Sequence, residues 1–134
     1  MLLLGHLVGD YVLQTKNMAM NKNGNWFMCG IHCLIYTAAV SLFTMSYIHV
    51  WWWPVIVFAT HFPVDYWSLA DRWLDYIEGR SLKDFMLNGK KNIPANYDKE
   101  NYHSLRGGFT ALVYAVVDNT MHLTSMYLIG RMLL

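Results

Sequence analysis

Between Trp26 and Ala70 the chain runs for 45 residues with a single charged side chain, Asp65. A stretch this apolar has few places to go in water. Inside a bilayer every backbone polar group must be satisfied within the protein, so such a segment enters as helix. A helix needs about 20 mostly apolar residues to cross. Residues 26–50 and 54–70 therefore predict two spans, joined at Trp51-Trp52-Trp53-Pro54. Tryptophan suits the membrane–water interface, and proline suits the first turn of a helix. Thirteen of the 19 charged residues lie between Asp71 and Arg106, whereas Gly107–Leu134 holds two, Asp118 and Arg131. Residues 108–132 predict a further span. Residues 2–15 predict a shorter membrane helix, retained rather than cleaved. No positive region precedes its Leu run, and no small-residue cleavage site follows it.

The expected fold is an all-α polytopic membrane helix bundle, one membrane domain over 1–134. It has about four transmembrane or membrane-embedded helices and a cytoplasmic amphipathic connector over 71–107. In that connector Trp73, Leu74, Ile77, Leu82, Phe85 and Met86 recur near helical spacing, with Lys83, Lys90 and Lys91 placed for anionic headgroups. Charged residues make up only 14% of the 134, against roughly a quarter in soluble domains. That excludes a disordered tail and a coiled coil. A net charge of +1 gives no bulk attraction to nucleic acid, and two cysteines are too few for a disulfide scaffold. The loops 16–25 and 71–106 hold nine of the ten Lys and Arg residues. The positive-inside rule places both in the cytoplasm and the Trp corner outside.

Three acids lie outside the charged connector, and each has a histidine four residues away: His6 with Asp10, His61 with Asp65, and Asp118 with His122. Residues four apart share a helix face, their Cβ atoms about 5–6 Å apart. The first and third expected helices read His then Asp; the fourth, running the other way, reads Asp then His. The three aspartates then form a layer on the cytoplasmic side of the three histidines. His32, about 10 Å into the second helix, joins the histidine layer. Ionisable groups at such depth are costly and pair or mark a functional path. Imidazole and carboxylate together suit a divalent transition metal, Zn, Mn or Fe. His6, Asp10, His32, His61, Asp65, Asp118 and His122 are enough donors for one ion or two, as in carboxylate–histidine sites inside helix bundles.

These motifs carry a resemblance. His6-Leu-Val-Gly-Asp10-Tyr-Val-Leu-Gln14, His32 with Tyr36, His61-x-x-x-Asp65-Tyr66 and Asp118-x-x-x-His122-Leu123 resemble the domain-of-unknown-function 3307 family of small bacterial and phage membrane proteins. Asn119 stands where that family commonly has Gln. The resemblance spans nearly the whole chain except about Arg80 to His103. It implies a multi-pass protein of the bacterial inner membrane, and it supplies no reaction.

For function, the residues support a membrane protein with a His/Asp metal site near the cytoplasmic face. If it is an enzyme, the expected class is metal-dependent hydrolysis of a lipid-linked or membrane-proximal substrate. Asp10, Asp65 or Asp118 would act as base. Arg72, Arg106 and Gln14 are weaker candidates for holding a phosphate or steadying the carboxylates. The expected partners are the lipid bilayer and a lipid or phosphate-bearing substrate. One alternative is a non-catalytic interaction protein whose His–Asp pairs only tie helices together. Another is a cation or proton pathway, which the scarcity of polar groups in the outer halves of the helices opposes. Tyr36, one turn beyond His32, offers a hydroxyl to the site but reads first as aromatic packing; Cys29 and Cys33, which flank His32, could form a Cys-His-Cys set but read first as packing residues. No Walker loop, G-x-S-x-G or H-E-x-x-H pattern occurs.

Overall fold

The computed structural model describes residues 1–79 and 99–133. Among them every regular element is helical. The first helix is shorter than expected and changes pitch. It begins as α1, Leu2–Leu7, and tightens no further; instead it widens into a π-helical stretch, Val8–Val12. There Leu13 N donates to Val8 O at 2.9 Å, five residues back. A short helix α2, Lys16–Asn21, follows, its start capped by the Thr15 hydroxyl, which accepts from Met18 N.

Helix α3, Trp26–Thr44, starts where the apolar run starts. Asn25 Oδ1 accepts from Phe27 N and Met28 N, both at 3.2 Å, and so satisfies two otherwise orphaned donors. The helix stops at Thr44, short of the expected residue 50. There the Thr44 hydroxyl donates back to Val40 O at 2.7 Å and accepts from Trp53 Nε1 at 2.9 Å. That bond folds the Trp corner onto the helix end, and α4, Trp53–Tyr66, begins with Pro54 in its first turn. Pro63 sits inside α4 and weakens its last turn. Ser68, with φ 47°, then breaks the chain before α5, Leu69–Glu78. This helix occupies the start of the expected connector and is amphipathic: Ala70 and Leu74 are buried while Arg72 and Asp75 are exposed. Helix α6, Lys99–Leu133, begins earlier than the expected residue 108. Leu82, Lys83, Phe85, Met86, Lys90 and Lys91 lie outside the described residues.

The chain forms two compact units, Met1–Ser68 with Thr120–Leu134, and Leu69–Asn119. In the first, α3 is central, packed by α1 with its π-helical stretch and by α4. Its apolar core is Tyr36, Val40, Ile48, Trp53, Val57 and Met126. The approach of α1 to α3 is close because two glycines allow it. A Cβ on Gly5 would stand 3.0 Å from Val40 Cα, and one on Gly9 would stand 2.7 Å from Tyr36 Cδ2. This Gly-x-x-x-Gly contact is a small-residue crossing that lets two helix backbones approach closely.

Of the four expected spans, α3 alone among the described helices is both long and apolar enough to cross a membrane. The apolar helix Leu2–Val12 is too short, as is α4 at 14 residues. Helix α6 has the length, at 35 residues, but carries charge in its first turns and Asp118, Asn119 and His122 further on.

Candidate metal centre

Asp10 stands on the π-helical stretch, directly after the glycine that touches Tyr36. A π turn is a common device where a side chain must be re-aimed. Here it coincides with a carboxylate turned onto α3: Asp10 Oδ1 lies 3.1 Å from His32 Nε2. From the other side, α4 brings His61 and Asp65 one turn apart on its inner face. His32 Nε2 is 3.1 Å from His61 Nε2 and 3.0 Å from Asp65 Oδ2. His61 Nε2 lies 3.2 Å from Asp65 Oδ2 and 3.7 Å from Asp10 Oδ1.

These four side chains are buried, and one donor atom from each lies within 4.8 Å of all the others, so the group could hold a metal ion. Hydrogen bonding alone does not account for the arrangement. An imidazole nitrogen has one proton or one lone pair, yet His32 Nε2 faces three polar atoms at 3.0–3.1 Å. Asp10 Oδ1, despite its short distance to His32, makes no aligned hydrogen bond, nor do the buried Asp65 Oδ1 and His61 Nδ1. Donors held at about 2.0–2.2 Å from one ion are separated by about 3.4 Å around a tetrahedron and about 3.0 Å around an octahedron. The spacings found, 3.0 to 3.7 Å, bracket both. Two imidazoles and two carboxylates are a chemically suitable donor set for a divalent transition metal.

Around this knot lies a further shell. Tyr36 stacks its ring on His61 with centroids 3.6 Å apart and planes 11° apart. Its hydroxyl is 2.8 Å from His6 Nδ1 and donates to Met126 Sδ at 3.3 Å. His6 reaches Asp10 Oδ2 only at 3.7 Å. His122 stands 3.4 Å from Asp65 Oδ1, its ring 4.0 Å from that of His61. Such partners fix the orientation of ligating groups in metal sites.

The seven expected ligands thus fall into three positions. Asp10, His32, His61 and Asp65 converge. His6 and His122 adjoin them from outside. Asp118 is buried one helical turn before His122 and belongs to the second unit. The two expected layers, carboxylates above imidazoles, merge into one: His32 touches both carboxylates at once. Gln14 sits in the first unit; with its amide nitrogen donating to Asp10 O at 3.2 Å, its amide oxygen accepts from Lys22 Nζ at 3.1 Å. Arg72 is on α5 of the second unit and exposed. The side chains of Arg106 and His103 lie outside the described residues.

Of two further contributors, sequence reasoning ranks one low and misses the other. Tyr36, expected as packing, contacts both His6 and His61. Lys22 donates to Asp65 Oδ2 at 2.9 Å across 43 residues, with its side chain 12% exposed. Its one sequence signal was its place as a lone lysine in the short turn before α3. The backbone places it: Gly24 N donates to Tyr66 O at 3.1 Å and ties that turn to the end of α4. Cys29 and Cys33 behave as expected. Their sulfurs are buried 3.8 Å apart, and Cys29 Sγ lies 3.8 Å from Phe62 O.

A family model described as "protein of unknown function (DUF3307)" matches residues 1–133. No curated protein and no solved structure matches the chain.

Proposed function

The chain belongs to the DUF3307 family, and from that membership and the geometry of its first unit we propose a membrane-embedded metal-binding protein. One divalent transition metal is held by Asp10, His32, His61 and Asp65. The observation that carries the reading is the convergence of four buried donors on one point, with His32 Nε2 facing more polar atoms than a single nitrogen can bond. The pattern of exposure supports the membrane. Leu3, Leu34, Leu42 and Val55 are each about half or more exposed, while His6, Asp10, His32, His61, Asp65 and His122 are buried. In water that distribution is inverted, and a bilayer is the solvent that fits it.

The enzymatic form of the proposal is hydrolysis of a lipid-linked or membrane-proximal substrate. A metal so placed supplies a water acidic enough to be a nucleophile near neutral pH. The chain itself supplies a dry, fixed donor set, with Tyr36 and His6 steadying it. The competing reading is a structural knot, favoured by one observation: Lys22 already neutralises Asp65.

Elemental analysis of detergent-purified protein separates the two. Wild type is expected to carry about one equivalent of a transition metal, and His61→Ala none, with helical content unchanged. A wild type that stays metal-free after incubation with Zn, Mn and Fe(II) leaves the structural reading.

A further inference from the structure

A cation of the chain itself already stands at the candidate metal centre. Lys22 Nζ donates to Asp65 Oδ2 at 2.9 Å, and that same oxygen lies 3.0 Å from His32 Nε2 and 3.2 Å from His61 Nε2. The atom best placed to ligate a metal is therefore the one the ammonium occupies. Two buried carboxylates and one partly buried ammonium converge here, in surroundings where an uncompensated charge is costly. An ammonium and a divalent ion on one carboxylate oxygen repel each other strongly at low dielectric. The lysine also has a way out that the ligands lack. Asp10, His32, His61 and Asp65 are set on helices, whereas Lys22 stands on the turn after α2, at the partly exposed edge of the site, on a flexible four-carbon stem. Gln14 provides a seat for it: in the amide orientation that satisfies both of its ends, Oε1 accepts from Nζ at 3.1 Å while Nε2 donates to Asp10 O at 3.2 Å.

We propose that Lys22 is a tethered counter-cation that holds Asp65 in the metal-free protein and is displaced toward the edge of the site when a metal enters. Its function is metal exchange. It keeps the empty donor set assembled and lowers the affinity for the ion to a level that permits release. No bond is made or broken in the step beyond ion-pair and coordination contacts. The proposal rests on the metal-binding reading above, and the experiment separates their failures.

Metal binding by wild type, Lys22→Met and Asp65→Asn is compared by titration with Zn and with Mn, each protein purified in detergent and stripped with chelator. Lys22→Met keeps the apolar stem and removes the competing charge. It is expected to bind at least tenfold more tightly than wild type, and Asp65→Asn to bind far more weakly. Binding in Lys22→Met equal to or weaker than wild type, with Asp65→Asn still impaired, overturns the exchange role and leaves the metal site standing. Absence of binding in all three overturns the site and the exchange role together. A second measurement needs no folded variant: amine-reactive labelling of wild type, read at Lys22 by peptide mass spectrometry. Labelling is expected to quicken severalfold when metal replaces chelator, and equal rates overturn the proposal.

Discussion

His32 is the residue on which the site turns. Its Nε2 lies 3.0–3.1 Å from Asp10 Oδ1, Asp65 Oδ2 and His61 Nε2, so removing it takes away a donor in contact with each of the other three. His6 stands differently: it is 2.8 Å from the Tyr36 hydroxyl and 3.7 Å from the nearest Asp10 oxygen. The two histidines should therefore separate in a titration. His32→Ala is expected to abolish metal binding, while His6→Ala and Tyr36→Phe lower affinity about 10–100-fold, the usual cost of losing a group that orients a ligand. Equal, complete loss in His32→Ala and His6→Ala would place His6 among the ligands instead. The four-residue spacing of His6 with Asp10 and of His61 with Asp65 was legible because periodicity alone puts such pairs on one face. His32 was legible from its depth along α3. The roles within the group were not, since which nitrogen meets which oxygen depends on how three helices cross. Lys22 lay beyond reach for the same reason: its neighbours in sequence form an ordinary polar turn, and its partner is 43 residues away.

At the scale of elements, the crossing of α1 on α3 sets where Asp10 can reach. The apolar runs reveal that both helices exist, and the closeness of their contact is written in Gly5 and Gly9, one turn apart in an apolar segment. That Gly-x-x-x-Gly signal stood in the sequence unused, just ahead of the aspartate it positions. The π-helical stretch was not legible, because its extra residue in the turn leaves no mark on apolar spacing. A methyl group at Gly9 meets Tyr36 Cδ2 at 2.7 Å and Tyr36 Cα at 3.1 Å, and the backbone contact cannot swing aside. Gly9→Ala is thus expected to push α1 off α3, costing about 1–3 kcal/mol by overpacking, and to weaken metal binding by moving Asp10 from His32. Gly30→Ala on α3 serves as control, since an added Cβ there meets nothing within 4 Å. Thermal unfolding in detergent with and without metal checks both. A Gly9→Ala protein with wild-type stability and affinity would mean that the crossing is looser than the distances imply.

For the molecule as a whole, the question is which solvent the first unit is built for. Eight of its polar or charged side chains, from His6 and Asp10 through Thr37, Thr44 and His122, are buried. Its outward residues include Leu3, Val12, Leu34, Leu42 and Val55, all more than half exposed. Burying polar groups behind an apolar exterior is costly in water and favourable in lipid, where the interior polar groups bond one another and the exterior matches the acyl chains. Among the described helices, α3 meets the length and composition needed to cross. The remaining apolar helices are short, which tilt or partial insertion accommodates. The protein is therefore expected to stay with the membrane pellet through an alkaline carbonate wash and to leave it only with detergent. Release by the wash would make α3 a core helix of a peripheral or soluble protein and remove the bilayer from the proposed function. Charge gives the expected orientation: the positive-inside rule predicts Lys16, Lys22 and the basic residues between Asp71 and Arg106 on one side and Arg131 on the other. In a bacterial host, a periplasm-active reporter fused after Leu134 is expected to be active, and one inserted between Lys90 and Lys91 inactive. If the first is inactive or the second active, the two ends of α6 are not on the expected sides. The donor set would then open away from the cytoplasmic metal pool, and the exchange role of Lys22 would have to act toward the outside.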